Sequence, residues 1–310
     1  MIGIIADAIL PIAGVLAVGV LIRQKRWVEE SVWRGLEWLS YWVLMPSLLI
    51  SAIVRAPQLD VPWLSLLGAL YGTLGILSIV GLAGWRLRWF GDSFPAFTSV
   101  YQGFIRFNTF VSLALMAGLD PTRLPHLAIA AACIIVVINF ACVTVMSLGH
   151  ADASLRRVLF ELLRNPLILA CVFGGVTRWL GAPSTFPISG LALLGQAALP
   201  IGILVLGAGL DWQAFRRALG LTVTTSVVQL GVKPFLFLAL AMFFGVPAEW
   251  VLVGLLLMSV STAPSSFILA KQLGGDAGLM AGIVATQTLL VMVTVPLVVA
   301  LATVLGLIAV

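Results

Sequence analysis

Apolar runs long enough to cross a bilayer, separated by short charged or Pro/Gly-rich breaks, leave this chain few ways to fold. About ten such runs can be placed, near 3–22, 36–54, 62–85, 94–117, 124–147, 166–180, 187–210, 218–244, 248–270 and 278–305 of the 310 residues. Charged residues make up 9% of the chain and hydrophobic ones 61%, against roughly 25% charged in soluble domains. A soluble fold of this length needs a charged surface, and these runs have nothing to build one from. An all-α membrane protein is expected, with a lipid bilayer as its partner. Ten crossings leave only short connections, so function must lie within the membrane or at its faces. The three cysteines, Cys133, Cys142 and Cys171, sit in apolar stretches without C-x-x-C spacing. They read as small core residues, with no disulfide, metal cage or cofactor expected.

Basic residues set the orientation, because cytoplasmic loops hold an excess of Lys and Arg. The odd-numbered connections carry twelve: Arg23, Lys25, Arg26, Arg34, Arg86, Arg88, Arg156, Arg157, Arg164, Arg216, Arg217 and Lys271. The even-numbered ones carry three, Arg55, Arg123 and Arg178. Both termini should be extracytoplasmic in a multi-pass protein of the cell (inner) membrane. The net charge of +5 then follows from topology, and its scatter over five loops speaks against nucleic-acid binding. Asp7 lies in the first run and the basic residues follow it, the reverse of a secretory signal. That run should remain a helix.

Landmarks recur at half the chain length. Pro11 pairs with Pro166, Pro46 with Pro200, Asn108-Thr109 with Pro264-Ser265, and Gly118 with Gly274, at offsets of 155, 154, 156 and 156. Five spans per half is an odd number, so residues 156–310 would repeat residues 1–155 in the opposite orientation. Inverted repeats of this kind build many secondary transporters, with the substrate near the midplane between them.

Spans four and nine are the anomalous pair, at equivalent places in the two halves. Span four carries Arg106, Asn108, Thr109 and Ser112 in mid-segment, and span nine reads Ser259-Val260-Ser261-Thr262-Ala263-Pro264-Ser265-Ser266. Proline breaks or kinks a helix, and Asn108 can hydrogen-bond an unwound backbone as Pro264 disrupts one. If both helices unwind, half-helices starting near Thr109 and Ser265 would aim free N–H groups and positive dipole ends at one point, which favours an anion. The plainer alternative is a simple kink at Pro264, with hydroxyls bonded to carbonyls one turn back.

Arg106 costs about 2.5 to 3.5 kcal/mol at mid-span on the lenient insertion scale. A substrate carboxylate could be its partner, or it could snorkel or cap the carbonyls ending the first half-helix. Lys233, before Pro234 in span eight, invites the same two readings. Asp7, Asp60, Asp92, Asp120, Asp211, Glu249 and Asp276 all fall at span ends or in loops, and His126 and His150 lie near span ends. An intramembrane acid or histidine relay is therefore missing, while sodium coupling stays open through Gln287, Thr286, Thr288, Asn139 and Gln102, each a weak oxygen donor taken alone. The sequence has no H-E-x-x-H or G-x-S-x-G pattern, so an enzyme is disfavoured, and nothing reads as a selectivity ring.

At these residues the sequence resembles the auxin efflux carrier family, in its branch of short bacterial permeases for malonate and other small carboxylates. The resemblance rests on Arg106-Phe107-Asn108-Thr109 through Gly118, Leu199-Pro200-Ile201-Gly202 through Leu210, Lys233-Pro234, and Ala263-Pro264-Ser265 through Ala270. It implies ten transmembrane helices in two inverted five-helix repeats with broken crossover helices in spans 4 and 9, as in bile acid symporters and sodium/proton antiporters. Spans 1, 2, 6 and 7 (about 1–55 and 166–212) would form a scaffold that makes a homodimer. Spans 3–5 and 8–10 (about 60–148 and 216–305) would form a transport domain moving as an elevator. The implied activity is secondary transport of small organic anions, with the substrate at Arg106, Asn108, Thr109, Ser112, Lys233, Thr262, Ala263, Pro264 and Ser265, and H+ or Na+ as a possible coupling ion. A sodium-coupled symporter or cation antiporter on the same fold is the alternative. Plant members carry proline at both crossings and a long loop between the halves. Asn108-Thr109 and the short segment 149–165 depart from that pattern, which argues against auxin itself and against phosphorylation of such a loop.

Overall fold

The computed structural model describes residues 2–57, 60–148, 164–181, 186–211, 213–214 and 220–308. Among these residues the fold is helical, with no strand. The first half holds α1 (Ile2–Gln24), α2 (Glu30–Leu39), α3 (Met45–Val54), α4 (Trp63–Arg86), α5 (Phe94–Ile105), α6 (Thr109–Leu119) and α7 (Leu124–Ser147). The second holds α8 (Pro166–Trp179), α9 (Phe186–Gln196), α10 (Ala198–Ala208), α11 (Leu221–Val227), α12 (Lys233–Phe243), α13 (Ala248–Met258), α14 (Ser265–Gln272) and α15 (Ala277–Val304). Seven described segments are long and apolar enough to cross a membrane: Asp7–Gln24, Glu30–Val54, Trp63–Arg86, Pro121–Met146, Pro187–Ala208, Leu221–Phe243 and Ala277–Val304. The remaining three of the ten expected segments are α8, of 14 residues, and the two interrupted ones, α5/α6 and α13/α14. Arg156, Arg157, Arg216, Arg217 and His150, and most of the segment 149–165, lie outside the described residues.

Large apolar side chains face outward, Leu64, Trp179 and Phe243 among them, as a lipid solvent requires and water does not. Inside, α1 lies along α10 and α3 lies between α8 and α9. The α1–α10 contact is close because it is backbone against backbone. A Cβ at Gly19 would overlap the Leu204 carbonyl, and one at Gly207 the Leu16 carbonyl, the small-residue contact that packs helices in the absence of a hydrophobic drive between them.

Helix starts are capped by the residues that the chemistry favours. Ser93 Oγ accepts from Ala96 N ahead of α5, Asn165 Oδ1 from Leu167 N and Ile168 N ahead of α8, and Asp276 Oδ1 from Leu279 N ahead of α15. The three basic residues of the even-numbered connections have local bonds. Arg178 donates to the Ile53 and Ala56 carbonyls, Arg55 to Ser189 Oγ at 3.2 Å, and Arg123 pairs with Asp120 while its guanidinium lies 5.5 Å from the Trp250 ring centre.

Two turns are wider than α-helix. Residues 40–44 join α2 to α3, and 228–232 join α11 to α12, as π turns in which Met45 N–H reaches back to Ser40 O and Lys233 N–H to Val228 O. A proline follows each at once, Pro46 and Pro234. Proline has no N–H for the carbonyl four residues back, and its ring crowds that carbonyl, so the turn opens.

A candidate anion site where two interrupted helices meet

The first interruption spans residues 106–108 and the second 259–264, and the two are hydrogen-bonded to each other. Asn108 N–H donates to Ser261 O at 2.8 Å. Thr262 Oγ1 donates to Gln102 O at 3.3 Å. Gln287, on α15, spans both breaks: its Nε2 donates to Gly103 O at 2.9 Å, and its Oε1 accepts from Thr262 N at 2.8 Å. Gln229, in the second π turn, also spans both breaks, its Nε2 donating to Arg106 O at 3.0 Å and Val260 O at 2.7 Å. Backbone freed at membrane depth must find protein partners or a wet cavity, and here four side-chain and main-chain bridges supply them.

The interruption in span four forms as the sequence leads one to expect, with a different consequence for its N–H groups. Asn108 is the N-cap of α6, and its Oδ1 accepts from Phe110 N at 3.1 Å and Val111 N at 3.4 Å. Two of the N–H groups expected to be free are therefore taken by the chain itself. Ahead of α14, Ser266 N and Phe267 N donate to Ala263 O and Pro264 O, each at 3.0 Å, in tight turns that take up these donors too. Both half-helix starts thus offer fewer bare N–H groups than helix geometry alone leads one to expect.

Arg106 does not cap the half-helix that precedes it. Its Nη1 donates to Asn139 Oδ1 at 2.9 Å and its Nη2 to Ser265 Oγ at 3.2 Å, while Nε has no partner. Tyr41, in the first π turn, and Cys142, on α7, lie within electrostatic reach of it. Neither Arg106 nor Lys233 is paired with a carboxylate among the described residues. The carbonyls at the end of α5 go to Lys233 instead. Its Nζ donates to Ile105 O at 3.1 Å, Arg106 O at 3.4 Å and Gln229 Oε1 at 3.1 Å, and the side chain is fully buried.

The expected site residues fall into two groups. Arg106, Thr109, Ala263 and Pro264 are partly accessible and Ser265 is exposed, so these can meet a solute. Asn108, Ser112, Thr262 and Lys233 are buried and hold the crossing; Ser112 Oγ donates to Asn108 O at 3.1 Å and reaches Leu256 O at 3.3 Å. Of the oxygen donors considered for sodium, Gln287 and Asn139 are committed to the bonds above, and Thr288 Oγ1 donates to Ser261 Oγ at 3.4 Å. Both polar side-chain atoms of the buried Gln102, the hydroxyl of Thr286 and the Nδ2 of Asn108 have no partner. Tyr41 and Gln229 are the residues that sequence reasoning passed over. The prolines that follow their π turns, Pro46 and Pro234, were the available signal.

Cys142 is fully buried in the hydrophobic core, as expected of a small core residue, and lies within electrostatic reach of Arg106 and Lys233. Gly202 of α10 faces the ring of Phe110 on α6, and a Cβ there would overlap it.

No curated protein matches the chain. Residues 150–299, which contain the second interruption together with Gln229, Lys233 and Gln287, match the family described as Membrane transport protein, which includes the auxin efflux carriers and related permeases.

Proposed function

We propose that this protein is a secondary transporter of small organic anions, carboxylates such as malonate, that works by alternating access. The observation that carries the reading is a guanidinium inside an apolar span with no carboxylate partner among the described residues. Arg106 is partly accessible at the crossing while its Nε is buried and unpaired, and two residues on the side-chain Nδ2 of the buried Asn108 is unpaired as well. Both unpaired atoms are donors, and a buried donor without a partner costs about 1–3 kcal/mol. A carboxylate supplies the acceptors and the charge together.

The reading carries an architecture with it: ten spans in two inverted five-helix repeats, a scaffold of spans 1, 2, 6 and 7 that dimerises, and a transport domain of spans 3–5 and 8–10 that moves as an elevator. Both termini face away from the cytoplasm across the cell membrane. The unpartnered Gln102 amide and Thr286 hydroxyl favour a second reading, a sodium-coupled symporter or cation antiporter on the same fold, because they are oxygen donors without a use. Thermal stability of the detergent-purified protein against mono- and dicarboxylates, amines, sugars and sodium separates the two. A ligand at a hundred times its dissociation constant stabilises by about 2.7 kcal/mol. A rise with one carboxylate class, absent in Arg106→Ala, supports the anion carrier; a rise with sodium alone supports the cation-coupled protein.

A further inference from the structure

The carbonyls that end a half-helix carry a partial negative charge of about half a unit, and in a membrane interior something positive must face them. We infer that the ammonium of Lys233 is a resident cation for the first interruption, standing where a bound monovalent metal ion would otherwise neutralise the end of α5, so that the crossing holds together without an ion from solution. All three partners of Nζ, the Ile105 and Arg106 carbonyls and Gln229 Oε1, are oxygens. The orientation of the Gln229 amide is fixed independently, because its nitrogen already donates to Arg106 O and Val260 O. Its oxygen therefore faces Lys233, and three acceptors around one nitrogen use the three N–H bonds of an ammonium, leaving no donor for a substrate. Lys233 is thus a positioning residue. Arg106 is left as the partly accessible cation of the crossing, its buried Nε without a partner, a division of labour that holds whichever solute is carried.

The truncation Lys233→Ala removes the ammonium with three methylenes, the shape of n-propylammonium, and leaves the oxygen cage facing an empty slot. Thermal unfolding of wild type and Lys233→Ala in N-methylglucamine buffer, with n-propylammonium, 1-propanol or sodium added, reads the charge directly. The expected result is a variant that melts several degrees lower than the wild type and gains more than the wild type does from n-propylammonium or sodium, but not from propanol. Equal recovery with propanol would make the residue a volume filler and overturn the inference. So would n-propylammonium and sodium that raise the variant's melting temperature no more than the wild type's. If the alanine variant is not recovered folded, Lys233→Gln and Lys233→Arg decide: the arginine variant should melt closer to wild type than the glutamine variant, and the reverse order overturns the resident cation. The carboxylate response of the wild type is scored separately, so failure of the anion reading leaves this result standing, and the converse also holds.

Discussion

The amide nitrogen of Asn108 lies 2.8 Å from the carbonyl oxygen of Ser261, a main-chain hydrogen bond between two stretches that are both outside any helix. Each interruption serves as the other's backbone partner. The side chain of Asn108 meanwhile has one end committed and one end idle, its Oδ1 capping α6 and its Nδ2 without a partner.

That asymmetry separates stability from binding. Asn108→Asp keeps an oxygen for the cap and is as good an N-cap as asparagine, while Asn108→Ala loses the cap and about 1 kcal/mol. The aspartate variant should unfold near the wild-type temperature yet lose carboxylate-induced stabilisation, because it replaces a donor with a negative charge. Thermal unfolding with and without the carboxylate measures both. Retained binding in Asn108→Asp would remove Asn108 from the site.

Arg106→Ala should abolish anion transport in proteoliposomes while the protein remains folded by size-exclusion chromatography. Arg106→Lys should not restore it fully, since a single ammonium cannot span Asn139 Oδ1 and Ser265 Oγ as the guanidinium fork does. Normal uptake by the alanine variant would reduce Arg106 to a structural role.

Gln287→Leu should be among the more destabilising single changes in the chain. It strands Gly103 O and Thr262 N, both buried, at about 1–3 kcal/mol each. Cys133→Ala, by contrast, should be nearly silent, because the hydrogen bond Cys133 accepts from Tyr71 is to its main-chain carbonyl. Comparing the two melting curves tests whether the crossing, rather than apolar packing alone, sets stability.

Gly202→Ala should impair transport, because the added methyl overlaps the Phe110 ring. Phe110→Leu should relieve it in the double variant. Residues in contact couple by about 0.5–3 kcal/mol, so a double-mutant cycle on melting temperature and uptake that shows simple additivity would refute the contact.

Much of this was legible in the sequence, for physical reasons that also mark where legibility ends. Pro264 and Asn108 announce the interruptions because one cannot donate and the other caps, and those are local properties. Which end of α5 is neutralised by which cation is a question of distance between spans four and eight. Sequence spacing therefore offered Arg106 as a possible cap, and the structure gives that place to Lys233. Free N–H groups at the half-helix starts were a fair expectation from helix geometry alone, and the asparagine that made the break visible also consumes two of them. Tyr41 comes from span two, lies in a π turn and is within electrostatic reach of Arg106, and a period of 3.6 residues does not encode such a turn.

The bonds that hold the crossing run from Gln102, Gly103, Ile105, Arg106 and Asn108 on one side to Gln229, Lys233, Ser261, Thr262 and Gln287 on the other. All the first set are translated more than a hundred residues before the second. A nascent chain inserted only through α7 therefore has an unwound stretch with none of these partners, and it depends on water, lipid headgroups or the insertion machinery until α11 to α15 arrive. The two halves made as separate polypeptides should each be short-lived in a cell, and made together they should protect one another from proteolysis.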